Sequence, residues 1–504
     1  MSTIDRLLAP TVLTVLLGAC SEPRSRAALD RSALDAVTSA VMVLPITTAS
    51  EEARSHFLQG QRELDLGRFV EANAHFKQAV GADSTFAFAY LNVANSGNSL
   101  QEFRNNLALA ERHAAHASEA ERLLIQMARK GFDNDLDGQV ALARQVVEQQ
   151  PTSPRAFLAL GDAQLAMNRV AEARTSYAKA VELAPRLLVA HTSLGNAYLF
   201  GEPRDFALAL AHMQGAATLA PDEPGPHDLL GDVYRAQNNL EKARDEYTRA
   251  HELAPTDASP LQQRGHVHSF LGNYAAARAD YDSAIARGRA NEQASFAVYR
   301  ALVSVHAGEP AAAIDELNRL EASIEGTGIP DPRGTRIFAL TTAATIAIHT
   351  SSLPAAERAL AQRTVLMMQE ADEVGAAAFR RSQEASIAFF DAWLAARRGD
   401  YATARGLADR VARLVEPDAN PRKLESVHQL KGIIDLYQGN SRAAVGHFEQ
   451  ADPFDIYVKY QLALARQGAG DTTQAQTLFR EVATYNFNSA GFALVRKEAA
   501  QKGG

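Results

Sequence analysis

Asp133-Asn134-Asp135-Leu136-Asp137-Gly138 sets carboxylates at alternate positions ahead of a glycine, the first half of a calcium-binding loop. The closing bidentate glutamate belongs at position 144, where the chain carries Arg144. A cation there repels the metal. The expectation is an acidic turn between helices, with Asp137 capping a helix that begins at Gly138. His113 and His116 lie three apart on a predicted helix with Glu111 and Glu119 nearby, a spacing that can bring two imidazoles to one face. Without a third ligand or a glutamate-bearing zinc motif, a solvated helix face is expected instead. His266 and His268 are two apart and point to different faces. No Gly-rich loop ending in Lys-Ser or Lys-Thr appears, and no Gly-x-Ser-x-Gly elbow. Neither a metal, a cofactor nor a catalytic residue is therefore assigned, and the chain is read as not an enzyme.

Cys20 is the single cysteine among 504 residues. It closes Leu16-Leu17-Gly18-Ala19-Cys20, behind the apolar stretch Leu7 to Leu17 and Arg6. A basic start, an apolar core and small residues at its end describe a signal peptide rather than a spanning helix. No apolar run reaches the ~18 residues that a membrane span needs. Leu17-Gly18-Ala19-Cys20 resembles the bacterial lipobox. That resemblance implies a diacylglycerol on the thiol of Cys20, which then becomes the mature amino terminus. Ser21, rather than Asp, at the next position implies the outer membrane, with the chain facing the periplasm.

The positioning elements follow from composition and period. Hydrophobic residues are 46% and charged ones 22%, ordinary for a folded chain. A net charge of −8 with no dense basic stretch excludes a nucleic-acid partner on electrostatic grounds. A chain this long exceeds one compact core, so it is several domains or a repeat array. One template recurs: Gly161, Ala173, Tyr177, Ala180 and Pro185; Gly195, Tyr198, Ala209, Ala216 and Pro221; Gly231, Tyr234, Ala243, Tyr247, Ala250 and Pro255; Gly265, Ala277, Tyr281 and Ala284. Gly60, Ala72, Phe76 and Ala79 open it, and Gly432, Ala444, Phe448 and Ala451 restate it downstream. Small residues let two helices cross closely. Gly231 with Ala243 is predicted as such a crossing, Tyr247 as filler between repeats, and Pro255 as a helix stop. Gly67-Arg68, Asn238-Asn239 and Gly272-Asn273 are predicted turns. Beyond Glu325 to Pro332, alanine replaces the glycine at Ala344, Ala392 and Ala463, while Ala356, Ala404 and Ala475 hold the second-helix position.

This pattern resembles the tetratricopeptide repeat family, whose units of about 34 residues carry Gly, aromatic, Ala, aromatic, Ala and Pro. The resemblance spans roughly residues 51 to 490, on the order of twelve units. It implies an all-α fold, a right-handed α-solenoid of tandem helix-turn-helix repeats. The chain divides into a lipoprotein signal peptide (1–20), a tether (21–50), an N-terminal array (51–322), a hinge loop (323–335) and a C-terminal array (336–504). Phe487 to Lys497 is its expected capping helix. In this family, first-helix residues one position after the glycine, and four after it, face a concave groove. The resemblance thus points to Asp162, Asn196, Asp232, Arg235, His266, Phe270 and Trp393 as groove residues, each of which could equally be only solvated. A clamp for a terminal carboxylate is not supported, because the corresponding positions carry Leu158 with Asp162, and Asp228 with Asp232.

The expected function is a lipid-anchored scaffold at the bacterial envelope, holding a protein partner in the groove and the membrane through its lipid. Two rivals are a glycan-binding outer-membrane lipoprotein that serves a transporter, and a regulatory repeat array. The glycan reading is disfavoured by 7% aromatics and one tryptophan. The regulatory reading rests on His116 to Ala163, which resembles arrays that follow kinase or DNA-binding domains.

Overall fold

The computed structural model describes residues 44–504 apart from 98–99, 134, 326–330, 419 and 421. Cys20, the signal peptide and most of the expected tether lie outside the described residues. Those described are 80% helical, with 25 α-helices and no strand. They form an all-α solenoid of helical repeats, in two compact units that divide between Pro260 and Leu261.

In the first unit, α1 (Glu51–Asp65) pairs with α2 (Phe69–Ala82), and α3 (Ala87–Ser96) with α4 (Leu100–His113). Then α5 (Glu119–Phe132) pairs with α6 (Leu136–Gln149), and α7 (Pro154–Ala166) with α8 (Val170–Leu183). The last pairs are α9 (Leu188–Phe200) with α10 (Phe206–Leu219), and α11 (Pro224–Ala236) with α12 (Leu240–Leu253). The second unit takes up α13 (Ser259–Phe270), α14 (Tyr274–Arg287), α15 (Ala290–Ala307), α16 (Pro310–Ser323), α17 (Pro332–His349) and α18 (Leu353–Val374). It continues with α19 (Ala377–Arg397), α20 (Tyr401–Val415), α21 (Glu425–Tyr437), α22 (Ser441–Phe448), α23 (Ile456–Ala469), α24 (Thr472–Ala483) and α25 (Ala490–Gly503).

One contact repeats through the hairpins. The first-helix glycine lies beneath a large side chain of the second helix in its own hairpin, 16 residues later except in the Gly195 hairpin, where the spacing is 18. A Cβ on Gly231 would meet the Tyr247 ring at 2.5 Å, on Gly161 the Tyr177 ring at 2.4 Å, and on Gly60 the Phe76 ring at 2.6 Å. Gly195 lies under Met213 at 2.7 Å and Gly432 under Phe448 at 2.7 Å; Gly265 under Tyr281 is looser, at 3.1 Å. This corrects the reading of Tyr247 as filler between repeats: the ring packs on the glycine of its own hairpin and is fully buried. Ala344, Ala392 and Ala463 are buried as the glycines' substitutes, as are Ala356, Ala404 and Ala475.

Most hairpins turn through a residue in the left-handed region. Gly67 has φ 77°, Asn168 59°, Asn238 60° and Gly272 79°. A bond from the next amide back to the first helix closes the turn, as from Asn239 N–H to the Tyr234 carbonyl at 2.8 Å and from Arg68 N–H to that of Glu63 at 2.8 Å. Those bonds satisfy carbonyls that the helix end would leave open.

Long-range ion pairs tie the first unit. Arg68 donates twice to Glu223, from Nη2 at 2.5 Å and from Nε at 3.1 Å. Arg155 meets Asp65 at 2.6 Å. The turn after α1 is thereby held against the starts of α7 and α11.

Several expected boundaries move. Residues 44–50 are packed rather than tethering: Leu44 is buried, and Thr47 N–H donates to the buried Glu121 at 2.9 Å. The helix after the acidic turn begins at Leu136, and its cap is Asp135 rather than Asp137. Asp135 Oδ1 accepts the Gly138 N–H at 2.9 Å, while Asp137 is left exposed. His113 ends α4 and His116 sits in the following 3-10 turn, so they share no helical face. The expected hinge (323–335) falls inside the second unit, where α16 and α17 pack together, and its middle is outside the described residues. The final helix starts at Ala490, capped by Ser489, rather than at Phe487.

Gly231→Ala is expected to destabilise the first unit by about 1–3 kcal/mol, as overpacking of a filled site does. Gly265→Ala should cost less, because its neighbour stands farther off. Adding Tyr247→Leu to Gly231→Ala should recover part of the loss. Thermal unfolding followed by circular dichroism checks this, and equal costs at the two glycines would refute it.

Candidate functional site

First helices of neighbouring hairpins touch one another: α3 with α5, α7 with α9 and α9 with α11 in the first unit. In the second, α15 touches α17, and α17, α19, α21 and α23 follow in series. The first helices therefore line the inside of the curve, and the side chains that follow each glycine lie along it.

These positions have a packing role that the sequence reading missed. A tyrosine over the glycine carries a hydroxyl into the interior, where it needs an acceptor. Tyr177 donates to Asp162 Oδ1 at 2.6 Å, and Tyr247 donates to Asp232 Oδ1 at 2.7 Å. The Tyr281 hydroxyl meets His266 Nδ1. Each acceptor stands 15 residues before its tyrosine. Where the covering residue is Met213 or Phe448, the same position carries Asn196 or the apolar Ile433. The signal was present in the sequence as a pairing of Tyr with Asp or His at that spacing.

In the first unit, Asp232 and Arg235 are 6% and 5% exposed and pair at 2.6 Å. That pair is internal, which removes Arg235 as a freely presented cation. Asp228, one turn before Asp232, differs. Its Oδ1 is buried without a hydrogen-bond partner, as is Asn196 Oδ1. Burial, then the Asp232 and Asp257 carboxylates, push the Asp228 carboxyl well above its ordinary range, against the opposing pull of Arg235. Asp162 is exposed on the concave wall, where its carboxylate accepts the Tyr177 hydroxyl. The wall is thus short of positive charge and short of donors.

In the second unit, His266, Phe270 and Trp393 are 4%, 5% and 1% exposed. Phe270 packs edge-on against Phe492 of α25, with ring centroids 5.4 Å apart. Trp393 lies 5.5 Å from the Tyr457 ring. Their expected presentation to a ligand is revised, because this wall is covered from within.

Models of the tetratricopeptide repeat match residues 224–257, and residues 135–187 and 263–326. The chain is a tetratricopeptide-repeat protein. Such proteins are generally non-catalytic and bind protein partners. No curated protein matches the chain in sequence. Among solved structures, the Cut9–Hcn1 hetero-tetramer of APC/C is 15% identical over 89% of this chain and 76% of that one, with a TM-score of 0.41. MamA (41-end) from Desulfovibrio magneticus RS-1 is 18% identical over 33% of this chain and 94% of its own, at 0.30. YrrB, described as a tetratricopeptide-repeat protein with an unusual peptide-binding site, is 18% identical over 42% and 90%, at 0.27.

Asp228→Asn is expected to stabilise this repeat protein at pH 8. The native chain holds the Asp228 proton more tightly than the unfolded chain does. Its contribution to stability therefore rises as pH falls through the raised native pKa, and the penalty is full above it. The variant should melt about 2–4 °C higher at pH 8, the shift that ~1 kcal/mol gives in a unit of this size. The gain should shrink towards pH 4. A gain that is independent of pH would show that the carboxylate carries no such penalty.

Proposed function

We propose that this tetratricopeptide-repeat protein is a lipid-anchored interaction scaffold of the bacterial envelope. In this reading the inner wall of its first unit holds a protein segment rich in donors, such as lysine or arginine side chains and free backbone N–H groups. The observation that carries it is Asp228. Its buried Oδ1 has no partner and two carboxylates stand nearby. A buried acceptor left unmade costs roughly 1–3 kcal/mol, and a cationic donor relieves both that cost and the repulsion. Asn196 Oδ1 and Asp162 extend the acceptors along the wall. Specificity would come from this row and from the exclusion of acidic segments. Catalysis forms no part of the reading.

The test compares the native chain with an Asp162→Lys plus Asp228→Lys variant in crosslinked membranes. We expect the native chain to retain a protein with a basic segment, and the variant to lose it by at least ~10-fold, as when like charges are juxtaposed. A variant that folds and keeps the same partner would sink the groove assignment. The glycan alternative needs an exposed aromatic platform, and Trp393, at 1% exposure, does not supply one.

The envelope address rests on the sequence around Cys20. Mass spectrometry of the mature chain should find a diacylglyceryl group on Cys20, and Cys20→Ser should move the protein out of the membrane fraction. An unmodified Cys20, or cleavage elsewhere, would refute the anchor.

A further inference from the structure

The second unit shows what its own inner wall binds. The last helix, α25, packs on α24 as the next helix in line, but also reaches α15 and α17. Three side chains at four-residue spacing carry the contact. Asn488 lies with its amide nitrogen 3.0 Å from His266 Nδ1, which also meets the Tyr281 hydroxyl, and its Oδ1 accepts from His306 Nε2 at 3.0 Å. Phe492 is fully buried, edge-on to Phe270 and to His306. Arg496 lies over both rings, 5.4 Å from the centre of Phe270 and 5.9 Å from that of Phe492. The wall thus takes an amide from the extended segment just before α25, and an aromatic ring and a planar cation from one face of the helix.

Two features of this packing bear on how firmly α25 is held. The segment before the helix, residues 485–489, is not helical, so α25 is joined to α24 by a short linker. The seat is also imperfect. Arg496 faces no carboxylate: burial lowers its pKa, with Tyr274 the opposing influence, and its buried Nε has no acceptor. A half-buried guanidinium with one buried N–H unpaired weakens the contact that contains it.

We propose that the wall of α13 and α15 is a helix-binding surface, and that α25 with Asn488 ahead of it is its built-in occupant, displaced by a partner segment presenting the same Asn just before a helix that carries the Phe and Arg. The surface is separate from the acceptors of the first unit and does not depend on them. Tethering gives α25 an effective concentration near millimolar, so a free helix competes only when it binds tightly or when the tethered helix is weakened.

The test uses the full chain and a fluorescent synthetic peptide of residues 484–504. Native protein should bind the peptide at least ~10-fold more weakly than a chain carrying Phe492→Ala and Arg496→Ala, because the cis helix competes. The same peptide with those two substitutions should bind neither. If the variant chain keeps its native helix content and binds no peptide, the proposal is overturned. Hydrogen exchange on the native chain provides a second test that needs no substitution. The amides of α25 should exchange through local opening, faster than those of α24. Exchange of both helices only through unfolding of the whole unit would equally overturn it.

Discussion

Everything in this solenoid depends on how closely two helices of one hairpin approach at the glycine. Where a Cβ would stand 2.4–2.7 Å from a ring, no larger residue fits without moving the partner helix. The absent side chain sets the interaxial distance, and the ring above it supplies the buried area. In a repeat architecture each hairpin contacts mainly its neighbours, so a small error at one glycine propagates into the curve. The left-handed turn residue and the helix-ending proline fix where each helix stops. The glycine fixes how the two lie together.

The same contact shapes the chemistry of the inner wall. A tyrosine ring over the glycine is favourable only if its hydroxyl finds an acceptor, and the nearest position is the residue after that glycine. Asp162, Asp232 and His266 occupy it. Polar residues along the wall are therefore partly a consequence of packing. Asp232, already holding a tyrosine hydroxyl and Arg235, has little left to offer a ligand. Asp228 and Asn196 answer no hydroxyl, and their buried, unpaired acceptors have no internal explanation. This separates residues that build the wall from residues that use it.

The repeat was legible in the sequence because its anchors are buried, periodic and restricted in size. Gly67, Asn238 and Gly272 could be read as turns because left-handed backbone admits few residue types. The wall was only half legible. Gly161 and Gly231 locate it, but whether a side chain such as Trp393 faces solvent depends on what crosses the wall far along the chain. Phe270 and Phe492 carry no local signal of meeting, and neither do Arg68 and Glu223, 155 residues apart. Asp135 was missed as a cap because two aspartates compete for that role. The one whose carboxylate reaches the third helical amide wins, which is a matter of backbone direction rather than residue type.

The two walls are finished differently, and the difference follows from charge and shape. Along the second, the aromatic and imidazole side chains of α13 and α15 leave a surface that water solvates poorly, and an amphipathic helix of the same chain covers it. His306 records that covering: burial lowers its pKa to about 4, against the hydrogen bond it donates to Asn488 Oδ1, so it stays neutral with its Nε2 proton facing the amide oxygen. Along the first, the carboxylates of Asp228 and Asp162 resist such a cover. An apolar helix laid over them would strip water from charges without returning donors, a loss that buried ions seldom recover. A segment bearing cations and free N–H groups returns what water supplied. A wall of that kind stays open until such a partner arrives.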